Sequence, residues 1–179
     1  MFSKKSYIFV CLIIIIVFIT SICMYRTNTR KIIDASINDI RIEKVDKYVN
    51  SAIPESKREA LLQNLNDYSY IVFSIKTKNI SDKYRVTNLY IHPVFSDDMA
   101  KLVYWYDSTD ELTDNVGINT RVTNHHERRI IVKNNHLSDS ELIRIASSTT
   151  FTLTYNTIKN SSLFSMWHSK QVVHDNNTK

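Results

Sequence analysis

The sequence predicts a mainly β protein: an antiparallel, immunoglobulin-like β-sandwich with one or two short helices, preceded by an N-terminal transmembrane helix. Three observations predict it. Eighteen consecutive uncharged residues run from Tyr7 to Met24. Beyond them, six to eight short runs of alternating apolar and polar residues recur at spacings of roughly 8–15 residues. Few stretches of the body carry clear helical signals, the best of them at Ile53 to Asn66 and Leu137 to Ala146.

As a helix, the apolar run spans about 27 Å at ~1.5 Å per residue, close to a hydrocarbon core of ~30 Å. Lys4 and Lys5 precede it, and Arg26, Arg30 and Lys31 follow. The run is longer than the roughly 7–15 apolar residues of a cleaved signal, and Ser21 and Cys23 make a poor cleavage pair. Ile22 before Cys23 argues against lipidation. Residues 1–6 therefore read as a short basic tail, 7–24 as an uncleaved signal anchor, 25–39 as a juxtamembrane linker, 40–174 as the body and 175–179 as a frayed C-terminus. The count of Lys and Arg on the two sides does not favour a cytoplasmic N-terminus, but a short basic tail ahead of an apolar run resembles an export signal, and the body is expected outside the cytoplasm on a single-pass membrane protein of the cell envelope.

Each element has its own warrant. Ile33, Ile37 and Ile40 are spaced to line one helical face, so a helix could run on from the membrane. Ile40 and Ile42 alternate with Arg41 and Glu43, as in a first strand. Over Ile53 to Asn66, Pro54 suits a first helical position, Glu55 favours the dipole, and Ala60, Leu61, Leu62 and Leu65 form a stripe. Tyr70 to Lys78 alternates, with Ile71, Phe73, Ile75 and Thr77 on one face. Asn79 to Lys83 is a turn. Tyr84 to Phe95 is strand-like, and Pro93 points to an edge or a bend. Leu102 to Tyr106 is a compact aromatic strand, and Asp107 to Gly117 an acidic loop. Ile118 to Thr123 and Arg128 to Lys133 form two strands with a hairpin loop, Asn124 to Glu127, between them. Ser138 and Glu141 make a capping box ahead of Leu142, Ile143 and Ile145. Phe151, Leu153 and Tyr155 alternate with three threonines, and a last strand falls within Leu163 to Val173.

Composition excludes several chemistries. With Gly117 the sole glycine, there is no phosphate-binding loop, no dinucleotide fingerprint and no G-x-S-x-G elbow. No cysteine follows Cys23, so the body has no disulfide framework, thiol nucleophile or cysteine zinc site. Of 23 basic residues, Lys4 and Lys5 precede the run, which leaves 21 against 18 acidic and a body near +3. Such a body carries no nucleic-acid signature.

The candidate sites are few. His125, His126 and Glu127, with His136 nearby, are the densest set of metal-ligand types, but neighbouring residues on a strand point to opposite faces, and no HExxH occurs. Asp97, Asp98, Asp107, Asp110, Glu111 and Asp114 lack calcium-loop spacing. Adjacent carboxylates such as Asp97 and Asp98 lack an apolar setting that would raise one pKa. Tyr104, Trp105 and Tyr106 offer a protein interface, with Tyr104 and Tyr106 on one face and Trp105 on the other, unless a helix covers them. Asn79, Asn160 and Asn176 begin Asn-x-Ser/Thr sequons. These readings converge on a non-catalytic, membrane-anchored module with no cofactor, which binds another membrane or envelope protein and no nucleic acid. The alternatives are a ligand- or metal-binding sensor domain and an envelope hydrolase with no local motif.

Overall fold

The computed structural model describes residues 11–21, 32–46, 53–107, 122–159 and 165–172. The chain divides into two compact units, Met1–Ile32 and Ile33–Lys179.

In the first unit, residues 11–21 form a helix, α1, whose side chains are all exposed. Its hydroxyls turn back onto the helix: Thr20 Oγ1 donates to the Ile16 carbonyl and Ser21 Oγ to that of Val17, each at 2.8 Å. Of the expected span 7–24, residues 7–10 and 22–24 lie outside the described residues. Among the described residues no helix is long and apolar enough to cross a membrane. Residues 11–21 rise only about 16 Å.

The second unit is mainly β, with antiparallel sheets and few helices. Its elements, in order, are β1 (Ile33–Lys44), α2 (Glu55–Gln63), a 3-10 turn (Leu65–Asp67), β2 (Tyr68–Asn79), β3 (Tyr84–Val94), α3 (Asp97–Leu102), β4 (Val103–Tyr106), β5 (Thr123–Lys133), α4 (Asp139–Ala146), β6 (Thr150–Lys159) and β7 (Ser165–Val172). One sheet has the order β1-β2-β5-β4 and the other β3-β6-β7, so the strands form no closed barrel. The four residues of β2 that alternation puts on one face, Ile71, Phe73, Ile75 and Thr77, form its inner face and are fully buried. β6 answers with Phe151, Leu153 and Tyr155. The rings of Phe73 and Phe151 meet edge to face at 5.1 Å and join the two sheets.

β1 corrects the sequence reading. Ile33, Ile37 and Ile40 lie on a strand, not a helix, and residues 33–39 belong to β1 rather than to a linker. The 3.6-like spacing arises from a bulge: Ile37 pairs with Ile75 and Asp39 with Ser74, which leaves Asn38 extra. One extra residue shifts the alternation by one, so Ile37 and Ile40 both face inward. A second bulge, between Thr87 and Tyr90, sits in β3, where Asn88 takes φ 50°. Asparagine tolerates this left-handed region better than most residues. Pro93 does lie on an edge strand, since β3 ends its sheet.

Two further expectations change. The helix of Ile53 to Asn66 is split into α2 and the 3-10 turn, and Pro54 is its N-cap rather than its first residue. Leu61 alone of α2 is buried, while Ala60 and Leu62 are exposed. The acidic pair Asp97 and Asp98 opens α3, capped by Ser96 Oγ, which accepts from Met99 N at 3.3 Å. Asn124 to Glu127 is no loop, because β5 is continuous from Thr123. Of the proposed strand at 118–123, residues 118–121 lie outside the described residues, as do Asp110, Glu111, Asp114 and 175–179. The capping box at Ser138 and Glu141 is complete.

The corner between the sheets is held by Asn79. Its side chain is fully buried. Nδ2 donates to the Tyr84 carbonyl at 2.8 Å, and Oδ1 accepts from Ser81 N at 2.9 Å. The residue that begins a sequon is thus the bracket that turns β2 of one sheet into β3 of the other.

Candidate functional site

The face of the four-stranded sheet that looks away from its inner core has two halves. One half is apolar. Leu61 of α2 packs with Val45, Ile53 and Ile131, and Leu65, Tyr68, Tyr70, Tyr104 and Trp105 close around them. Tyr104 is tied to α2 at three points. Its Oη donates to the Lys57 carbonyl at 2.9 Å, Lys57 Nζ donates back to the Tyr104 carbonyl at 3.1 Å, and the ammonium stands 5.4 Å from the ring centroid. Tyr68 adds a tilted ring contact at 4.7 Å. Burial, and then Tyr68, push the Tyr104 phenol up.

The bulge between Val103 and Trp105 changes the expected facing of the aromatic strand. Trp105 pairs with Ile131 and Tyr106 with Ile130, so Tyr104 and Trp105 share the α2 side and Tyr106 turns inward, edge to face with Phe95 at 5.2 Å. All three aromatic residues are half-buried. β4 ends its sheet, so their strand forms an edge.

The other half of the same face is charged. Arg41 and Arg129 flank Val72 in register on β1 and β5. Arg41 Nη2 reaches Glu127 at 2.7 Å and its Nε reaches Glu43 at 2.8 Å, while Arg129 stands 3.7 Å from each carboxylate. The four side chains form a ring across three strands, and Val72 between the two arginines is fully buried. The Arg41 guanidinium holds the Glu127 carboxyl below its usual range. Sequence inspection missed this ring. The alternating charges of β1 and β5 were visible, but the register that places them side by side was not.

The histidine candidates are dispersed. His125 is exposed on the outer face. His126 is half-buried on the inner face, with Nε2 at 2.8 Å from Thr77 Oγ1. Glu127 belongs to the charge ring, and His136 lies exposed in the turn after β5 at φ 63°. Among the described residues no group of three His, Cys, Asp or Glu could hold a metal. Glu127 and Glu141 are both held low, Glu141 by hydrogen bonds from Ser138, which is the opposite of what a general acid needs.

A pocket of about 340 Å³ opens where β1 ends, between the 3-10 turn and the start of α4. Ile42, Lys44, Val45, Leu65, Asn134 and Asp139 are among the residues that line it. Asn134 braces it, donating from Nδ2 to the Asn66 carbonyl at 2.9 Å.

No family model matches the chain, and no curated protein matches it. Among solved structures, a Bacillus subtilis protein described as a candidate lipoprotein is 12% identical, with 78% of this chain and 36% of that chain covered and a TM-score of 0.31. The chain thus spans about a third of that protein's length. A FixG-related protein from Vibrio parahaemolyticus is 10% identical, with 82% and 99% covered and a TM-score of 0.24. Likenesses this distant carry no argument about function.

Proposed function

We propose that the chain is a single-pass, membrane-anchored binding module whose body, an immunoglobulin-like sandwich, stands outside the cytoplasm and holds a partner protein of the envelope at the membrane. One observation carries the reading. In α1, Leu12 through Ile19 are large apolar side chains exposed on every side, from 47% to 66%. A helix apolar all round needs lipid or protein around it. The inward-bonded hydroxyls of Thr20 and Ser21 suit the same surroundings.

The choice of β4 as the contact rests on its place at a sheet edge and on its half-exposed aromatic residues, a type enriched at interface hot spots. Anchoring raises local concentration, so a modest interface suffices. The test is crosslinking of the full-length protein in its own membrane through a photoreactive residue at position 106. One stoichiometric partner, retained in Tyr104→Phe and lost when the flanking Trp105 becomes Ser without loss of the β spectrum, supports the module. A spectrum of partners unaffected by Trp105→Ser refutes it.

A further inference from the structure

The two sheets differ on their outer faces. That of the four-stranded sheet carries the charge ring and is covered in part by α2, and α4 packs against β1 and β2. That of the three-stranded sheet follows from β6. Phe151, Leu153 and Tyr155 are buried on the inner side, so Thr150, Thr152, Thr154 and Asn156 alternate onto the outer one. Strand pairing supplies their neighbours. On β3, His92 stands opposite Thr152, Tyr90 opposite Thr154 and Thr87 opposite Asn156. On β7, Gln171 pairs with Thr152, Ser169 with Thr154 and Trp167 with Asn156. From Thr150 to Asn156 the face runs about 20 Å along β6 at ~3.4 Å per residue.

This face is polar with little charge. Among the described strands its one charged residue is Arg85, opposite Ile158 at one end, and Val94 stands at the other end, opposite Thr150. Lys159, His168 and Lys170 take the alternate positions. Tyr90 and His92 hold their rings within 6° of parallel, with centroids 6.2 Å apart. His92 is exposed, and Tyr90, Thr152 and Thr154 are half-buried. Asn156 is only 6% exposed, and among the described residues its carboxamide oxygen has no hydrogen-bond partner. A buried acceptor left unused costs free energy that a bound hydroxyl or water recovers.

The geometry points to a binding face for a neutral oligosaccharide on β3, β6 and β7. It is independent of the anchor reading and of the β4 contact, which lies on the other sheet. Charge selects the occupant. Nucleic acid, anionic lipid or an acidic peptide calls for clustered basic groups, and the described part of this face has Arg85 only. A protein interface calls for an apolar core, whereas the exposed Val94 and Ile158 lie at opposite ends of the face. A pyranose ring matches what is present. Its C–H faces pack on aromatic rings such as those of Tyr90 and His92, and the hydroxyls of its rim exchange hydrogen bonds with threonine hydroxyls and the Asn156 carboxamide.

The test titrates the full chain, in a detergent without a sugar headgroup, with cellohexaose, chitohexaose and laminarihexaose, and with heparin as the charged probe. Calorimetry is expected to show at least one neutral hexasaccharide bound more tightly than about 1 mM, and heparin unbound. Replacing both rings, Tyr90→Ala with His92→Ala, is expected to weaken that binding at least about fivefold at an unchanged β spectrum. Leu62→Ala, on α2, is expected to leave it as it is. Should the ring variant fail to fold, Thr152→Val takes its place, with a loss of at least about threefold that Thr152→Ser restores. No neutral hexasaccharide bound overturns the inference. So does binding that the face variants leave unmoved, which would place the sugar elsewhere. Heparin bound as tightly as the neutral sugars overturns the uncharged match.

Discussion

Thr149 and Asn79 show two outcomes for a buried polar side chain. Thr149 is fully buried between α4 and β6, and its amide donates to the Ala146 carbonyl at 2.9 Å. Among the described residues its hydroxyl has no hydrogen-bond partner. A buried donor without a partner costs free energy, and an apolar group of the same shape removes that cost. Thr149→Val is therefore expected to leave stability unchanged or raise it by up to about 1 kcal/mol. Urea unfolding checks it, and a clear loss would show that the hydroxyl is bonded. Asn79 is the contrary case, since both ends of its carboxamide are used in the corner. Fully buried in this way, it is closed to glycan attachment once the body has folded.

At the scale of elements, α2 buries one side chain. Leu61 is fully buried in the cluster of Ile53, Val45 and Ile131, whereas Leu62 is 42% exposed. Leu61→Ala is expected to cost about 2–4 kcal/mol, and Leu62→Ala less than about 0.5 kcal/mol. Thermal and urea denaturation separate the two. The charge ring has a pH signature. Glu127 is held low by Arg41, so its contribution is present above the ordinary carboxylate range and is lost as pH falls through its lowered folded value. Glu127→Gln is expected to lower the urea midpoint at pH 7 in low salt. The difference should shrink in high salt, because the pair is exposed, and vanish in strong acid. A difference that persists in acid would point to packing instead.

These elements also mark how far the sequence could be read. Where one face is buried and the strand is regular, alternation grouped the residues that share a face, as for Phe73 on β2 and Phe151 on β6, and burial shows that face to be the inner one. Alternation failed at the bulges. Asn38 made a strand look helical, and the shift after Val103 moved Tyr104 to the face of Trp105. A bulge is set by pairing with a neighbour, and no local pattern encodes it. The short α3 has a legible signature in Ser96 with Asp97 and Asp98, a cap and an acidic first turn. The charge ring depends on β1, β2 and β5 lying side by side, a contact across 86 residues that period and propensity do not report.

At the scale of the whole second unit, the pairing is interleaved. β2 and β3 follow one another directly, yet β2 pairs with β5 and β3 with β6. A chain ending at Lys133 would retain β2 and β5 but leave β3 without its described partner and Phe73 without Phe151. Such a truncation is expected to unfold without a cooperative transition and to bind an apolar dye. A sharp urea transition in it would show that the four-stranded sheet folds alone. The same interleaving bears on synthesis. The chain emerges from its N-terminus, and β3 has to wait until β6, some sixty residues later, has been made. On the proposal that the body is exported, the wait has a use: until β6 has been made, β3 lacks the strand it pairs with, and the two sheets cannot close on each other through Phe73 and Phe151.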